Sequence, residues 1–153
     1  MSMHGLVRIS AVAPADLAEV ARIESSARLG EEDLRAELAL PWSRIWVAHE
    51  GRQGVVAFAL FWHVADEVHL LNIATRLDRR RQGIGRALMG AMIGYARENR
   101  VRHVLLEVRK SNLAAIELYR SLGFCDTRSR PAYYRDGEDA IEMALSLDVE
   151  QGR

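Results

Sequence analysis

The 153 residues contain one cysteine (Cys125), one lysine (Lys110) and three prolines. A single cysteine excludes an intramolecular disulfide and a cysteine metal cluster. The longest apolar run, Val55 to Trp62, is far short of the roughly 20 residues that a membrane-spanning helix needs. Met1 to Ser10 holds neither a long apolar core nor a small-residue cleavage site, so no secretory leader is expected and the expected location is the cytosol. Net charge is also missing: 21 basic residues balance 21 acidic ones. That balance argues against a whole-molecule polyelectrolyte role, so neither nucleic acid nor a membrane is an expected partner. The five histidines, His4, His49, His63, His69 and His103, show no metal-ligand spacing; they read as structural, and no metal is expected. There is no repeat and no low-complexity segment.

What the chain does have is apolar content, 49% of residues, and enough length for one domain with a real core. Residues 1–147 read as that domain and 148–153 as a flexible tail. Leu6 to Val12 reads as a first strand. Pro14 opens a helix to about Arg28, and Glu31, Glu32 and Asp33 open a second one to about Leu40. Arg44–His49 and Val55–Val64 form a hairpin around the polar turn Gly51–Gly54, followed by the strand Val68–Thr75. Ile84, Ala87, Leu88, Ala91, Met92, Tyr95 and Ala96 mark one apolar stripe at helical period. Val104–Val108 is a short buried strand. Asn112 is placed to cap a helix over Leu113–Leu122 that Gly123 ends. Phe124–Arg128 and Ala140–Leu147 complete a strand pair. Strands in a meander, then alternating with helices, predict an α/β (α+β) sheet, part antiparallel and part parallel. Trp42, Trp46 and Trp62 are expected in core or hairpin packing.

Between the third meander strand and the striped helix lies Arg76-Leu77-Asp78-Arg79-Arg80-Arg81-Gln82-Gly83-Ile84-Gly85-Arg86. Its five arginines and one aspartate leave a local charge of about +4. Glycines at a strand-to-helix junction let backbone amides approach a ligand, and a helix N-terminus favours anions. Arginines add charge-assisted bonds to phosphate. The segment therefore reads as a diphosphate cradle, with a glycine turn flanked by solvated arginines as the alternative. It is not a dinucleotide fingerprint, which would need glycine where Leu88 stands, nor a P-loop, which would need Gly-Lys-Ser/Thr.

The pattern Arg80-x-x-Gly83-x-Gly85 resembles the pyrophosphate loop of the GCN5-related N-acetyltransferases, which bind acetyl-CoA. Leu105-Leu106-Glu107-Val108, Asn112 opening a helix, Ala114-Ala115-Ile116 and Leu118-Tyr119-Arg120-Ser121-Leu122-Gly123-Phe124 resemble the second half of that family's core. Leu71-Asn72-Ile73-Ala74, Tyr133-Tyr134 and Glu138 to Leu145 are most similar to its ribosomal-protein alanine N-acetyltransferases. The resemblance is close over residues 66 to 146 and general over the first 65. It implies a single mixed, mostly antiparallel sheet with a parallel central pair and about four helices on both faces.

It also implies acetyl transfer from acetyl-CoA to a primary amine in a ternary complex. Glu107 would be the general base, directly or through a water; read alone, it is equally an outward-facing residue paired with Arg109. Tyr119 would be the general acid for the thiolate; read alone, it is a packed aromatic. The backbones of Ile73, Ala74 and Thr75 would pair with the pantetheine arm. Arg80, Arg81, Gln82, Gly83, Ile84, Gly85 and Arg86 would hold the diphosphate, mainly through amides. Asn112 would bond the cofactor arm, cap its helix, or both. Tyr133 and Tyr134 would flank the acceptor. The acceptor implied is a protein N-terminus, such as that of a ribosomal small-subunit protein, with a small-molecule amine as the alternative and a non-catalytic CoA- or RNA-binding module as the third. The protein would be a monomer or homodimer.

Overall fold

A computed structural model describes residues 2–4, 7–23 and 29–148 of the chain, with side chains from residue 7 onward. The strands are β1 (Ser2–His4), β2 (Val7–Ala11), β3 (Ser43–Glu50), β4 (Val55–Val64), β5 (Glu67–Thr75), β6 (His103–Arg109), β7 (Cys125–Arg130) and β8 (Ala140–Ser146); the helices are α1 (Leu17–Arg22), α2 (Glu31–Leu38), α3 (Ile84–Glu98) and α4 (Leu113–Ser121). All the described strands join one sheet in the order β1-β2-β3-β4-β5-β6-β8-β7. Only β5 and β6 are parallel; every other neighbour pair is antiparallel. This is the mixed sheet with a parallel central pair that the sequence predicts.

Two apolar clusters lie against it. Leu17, Val20 and Ile23 from the α1 region and Leu34 of α2 pack with Ile45, Val47, Phe58 and Leu60. The larger cluster holds α3 (Ile84, Leu88, Met89, Met92, Ala96) and α4 (Ile116, Tyr119) with Val104, Leu106, Val108 and Met143. Alternation along a strand sends successive side chains to opposite faces. Val104, Leu106 and Val108 therefore face α3 and α4, and Leu105, Glu107 and Arg109 face the other way.

Three expectations change. The first helix does not reach Arg28: after a 3₁₀ turn at Pro14–Asp16 it ends at Arg22. Ile23 turns to extended backbone and sits buried in the α1–α2 cluster, which stops the helix there; residues 24–28 lie outside the described set. An additional strand, β1, pairs with β2. Trp42 is not in the core. Its ring is 41% exposed, although its carbonyl accepts from the His63 N–H at the hairpin. Trp46 packs edge-on against Phe61 and Tyr95, and Trp62 donates its indole N–H to Glu37 at 2.9 Å. Of the expected tail, residues 149–153 lie outside the described set, as does the His4 side chain.

Candidate active site

The site starts with a split in the sheet. β5 and β6 pair from Glu67↔His103 to Leu70↔Leu106 and no further, though β5 runs on to Thr75 and β6 to Arg109. Leu71 has no counterpart in the β4 register, because Leu60 pairs with Asn72 and Phe61 with Leu70. An extra residue of this kind bends its strand. Beyond Leu71 the β5 edge turns away from β6 and leaves a narrow cleft of about 90 Å³, lined by Leu70–Ile73, Glu107–Arg109, Asn112, Tyr119 and Tyr134.

Glu107 enters this cleft from the α1–α2 face. Its carboxylate does not pair with Arg109, as the simpler reading had it. His69 Nε2 lies 2.7 Å from Glu107 Oε2, and Arg109 instead donates to Asp136 at 2.8 Å and Glu138 at 3.0 Å. His69, read from the sequence as structural, thus touches a residue of the cleft. Only the cross-strand register β5–β6 could have announced it, since 38 residues separate the pair. Asn72, buried in the cleft wall, was also not singled out.

Tyr119 enters from the opposite, α3–α4 face. Its place is fixed by the end of α4. Phe124 N–H donates to Tyr119 C=O and Gly123 N–H to Arg120 C=O, both at 3.0 Å. The Tyr119 and Phe124 rings are 5.9 Å apart. This is a helix-ending motif with its apolar contact, and it needs a positive φ at the residue past the cap. Gly123 supplies it, at +102°, and an added Cβ would meet Leu145 at 3.1 Å. Tyr119 is 6% exposed, yet its hydroxyl has no hydrogen-bond partner among the described residues. No sealed, unpartnered polar side-chain atom occurs among those residues, so the hydroxyl opens onto the cleft. Burial pushes the phenol up to about 12, which keeps it protonated at neutral pH.

The cradle adjoins the cleft. Gly83 precedes α3 with φ +80° and ψ +10°, and Arg81 is also left-handed at φ +64°. The first intrahelical bond runs from Ala87 N–H to Gly83 C=O, so the amides of Ile84, Gly85 and Arg86 are the outward-facing orphans of a helix start. A groove of about 410 Å³ runs past them, walled by Thr75, Arg79–Arg81, Ala114, Ala115 and Leu118. These donors suit a diphosphate, and the groove's other wall, including Ala114 and Leu118, suits an alkyl arm. The positive charge is smaller than the sequence count suggests. Arg76 is held by Asp78 and Gln53, and Arg79 by Glu50 at 2.8 Å. Arg80 donates to the Thr75 carbonyl and Arg86 to Ser121, while Arg81 makes no ion pair among the described residues. The charge available to a ligand therefore sits on Arg80, Arg81 and Arg86. Gln82 is exposed in the same turn. Asn112 caps α4, its Oδ1 accepting from Ala115 N–H at 3.2 Å, and lines the cleft as well.

Tyr133 and Tyr134 stack edge-to-face, 5.1 Å between centroids, in the β7–β8 connection. Of the two, Tyr134 lines the cleft; Tyr133 stays exposed. The Arg109 guanidinium lies 4.0 Å over the Tyr134 ring. Glu138 also accepts from Ser111 N–H, so Arg109 ties the loop to the end of β6 and Glu138 ties it to the approach to α4. Replacing Arg109 by Met removes the cation–π contact and both ion pairs. The expected result is faster amide hydrogen exchange across Tyr134 to Glu138; unchanged exchange would show that the loop is held without Arg109.

A larger hollow of about 530 Å³ lies between β2, β3 and α3, lined by Ile9, Ser10, Ala11, Trp46, Ala91, Gly94, Tyr95 and Glu98. Its size exceeds that of the cleft, but its Tyr95 hydroxyl is already engaged by His63 Nδ1 at 2.6 Å and it holds no cluster of anion-binding donors. No group of three or more potential metal ligands occurs among the described residues, and no described helix is long and apolar enough to cross a membrane.

Comparison with known proteins bears on this geometry. Residues 15–124 match the model of the acetyltransferase (GNAT) family. The chain is 42% identical to the ribosomal protein bS18-alanine N-acetyltransferase of Escherichia coli (strain K12), over 72% of this chain and 84% of that one. The crystal structure of the ribosomal-protein-S18-alanine N-acetyltransferase from Escherichia coli superposes with a TM-score of 0.87 at 36% identity, covering 96% of this chain and 97% of that chain. A GNAT family acetyltransferase from Elizabethkingia anophelis, solved with acetyl-CoA bound, shares the fold at a TM-score of 0.75 and 17% identity, covering 94% of this chain and all of that one. The likeness thus includes the first 65 residues, where the sequence motifs are few.

Proposed function

Because this chain belongs to the acetyltransferase (GNAT) family and is an N-acetyltransferase, we propose that it moves acetyl from acetyl-CoA to the N-terminal α-amine of a protein, of the ribosomal-protein-alanine type. Residues 1–147 act as one catalytic domain in this reading. The observation that carries it is the cleft at the β5–β6 split, where a carboxylate from one face of the sheet and a protonated phenol from the other meet next to an anion cradle. The 42% identity to an enzyme named for a ribosomal-protein alanine supports the acceptor class.

Acetyl-CoA supplies an acetyl thioester. Its diphosphate would be held by the amides of Gly83 to Arg86 with Arg80, Arg81 and Gln82, and its arm by the free edge of β5 at Ile73, Ala74 and Thr75 and by Asn112. An amide on that edge would donate to the carbonyl oxygen as charge develops there. Glu107 takes the proton of the attacking amine, directly or through a water. A C–N bond forms, the C–S bond breaks, and Tyr119 gives its proton to the departing sulfur. Tyr133 and Tyr134 wall the acceptor side. The cleft is fed by a cofactor groove, and its base is matched by an acid, which favours catalysis over a binding-only module.

Tyr119→Phe removes the proton donor and keeps the ring packing. Turnover is expected to fall about 10- to 100-fold with acetyl-CoA affinity unchanged; near-wild-type turnover sinks the acid role. The acceptor is tested by measuring acetyl-CoA turnover on short peptides beginning with Ala or Ser beside a panel of small amines. Peptide turnover is the expected outcome, and turnover of small amines alone overturns the protein-acceptor reading.

A further inference from the structure

Glu107 is the first β6 residue past the last β5–β6 pair, Leu70↔Leu106. On that side the sheet no longer restrains it. On the other side it faces Glu142 of β8 at a directly opposed register position, where like charges repel. Each carboxylate has its own counter-group. Arg128 and Arg130 of β7 lie 3.3 and 3.4 Å from Glu142 Oε2. His69 lies 2.7 Å from Glu107 Oε2.

We propose that His69 is a positioning residue for acetyl transfer, holding one oxygen of the Glu107 carboxylate from outside the cleft and leaving the other to receive the acceptor's proton. The inference rests on the reading of Glu107 as the base. Three observations carry it. An ionised carboxylate only accepts hydrogen bonds, so the Nε2–H of His69 is the donor. Glu107 lines the cleft and His69 does not; their side chains are 12% and 35% exposed. Finally, His69 lies opposite Leu105, within the paired and therefore rigid stretch of β5, which makes it a fixed post beside a strand that has lost its neighbour. Glu107 Oε1 has no hydrogen-bond partner among the described residues.

The pair also sets a pH response. His69 is faced by Glu107 on β6 and Glu142 on β8, with Glu67 on its own strand; its β4 neighbour Trp62 is uncharged. The hydrogen bond to Glu107 holds the imidazole above its usual 6.5, against the effect of burial. Cationic His69 grips Glu107 and withdraws charge from it. Neutral His69 still donates its Nε2–H, but without the ion pair. A raised folded-state pKa means that the ion pair's contribution to stability is full below about pH 6.5 and is lost as pH rises through the higher folded midpoint. Across that same window the hold on Glu107 passes from an ion pair to a hydrogen bond alone.

The test compares His69→Ala, His69→Gln and Glu107→Gln in the full chain, with kcat measured against pH at saturating acetyl-CoA and acceptor peptide. His69→Ala is expected to lower kcat about 10- to 100-fold, the cost of a misplaced catalytic group, with acetyl-CoA affinity unchanged. His69→Gln, which restores a donor but does not titrate, is expected to recover most of the rate and to lose the inflection of the kcat–pH profile that coincides with the His69 midpoint. NMR titration of His69 is expected to show a midpoint above 6.5 in the wild type that drops in Glu107→Gln. A wild-type kcat and pH profile in His69→Ala, with Glu107→Gln inactive, overturns the role of His69 alone. An active Glu107→Gln overturns the base reading and this inference with it.

Discussion

Glu107→Gln should lower turnover by about 10²- to 10⁴-fold, the range that a positioned general base contributes, while acetyl-CoA binds as tightly as to the wild type. The substitution is nearly isosteric. Its amide oxygen can still accept from His69, whose Nε2 sits 2.7 Å from the present carboxylate, so the wall of the cleft is expected to stay in place. What goes is the capacity to take a proton from an ammonium acceptor. The measurement is single-turnover acetylation of an Ala-initiated peptide, with acetyl-CoA affinity by calorimetry on the same sample. Turnover within tenfold of wild type would mean that the acceptor's proton leaves by another route and that Glu107 only shapes the cleft.

Gly83→Glu should abolish acetyl-CoA binding, a loss of at least 100-fold in affinity, by two separate effects. A side chain at φ +80° is forced into the left-handed region, at a cost of about 1–2 kcal/mol. The carboxylate also sits beside the outward-facing amides of α3, where it competes with the diphosphate and repels it. The two are separable. Gly83→Ala carries the strain without the charge and should weaken binding about tenfold. Far-UV circular dichroism should match the wild type for both variants, because residue 83 lies outside the helix whose apolar stripe packs the core. Normal acetyl-CoA affinity in Gly83→Glu would remove the cradle from the cofactor site.

The parts of the site that the sequence makes legible are those built from neighbours in the chain. Gly83 and Gly85 at the entry to a striped helix, Asn112 three residues before the amide it caps, and Gly123 past the end of α4 are all local patterns, and each lies where the pattern puts it. The periodicity of α3 survives because its apolar stripe is long and faces one cluster. The first helix fares worse: Ile23 gains more from burial between α1 and the sheet than from another helical turn.

The partners of charged groups were not legible. Glu107 and Arg109 share a strand face, so proximity in sequence suggests a pair. Residues two apart on a strand are about 7 Å apart, and a diagonal neighbour across strands, as Glu107 is to His69, lies at a similar distance of about 7–8 Å, within reach of long side chains. The register of β5 on β6 gave Glu107 to His69, and the β7–β8 connection gave Arg109 to Asp136, Glu138 and Tyr134. In the same way, Glu50, distant in the chain, pairs with Arg79 and leaves a smaller field at the cradle than the +4 count implies.

Resemblance to a family named the acid and base candidates; by itself, the amino-acid sequence determined the order and type of nearly all the elements and the glycine-marked helix start that suits an anion. Those features depend on backbone propensity, capping and periodicity, all of which act over a few residues. The tertiary structure alone decided that β5 and β6 part after Leu70, that Glu107 and Tyr119 reach the resulting cleft from opposite faces, and that His69 stands behind Glu107. These depend on strand register and on a one-residue bulge at Leu71, where a shift of a single position would turn every side chain to the other face.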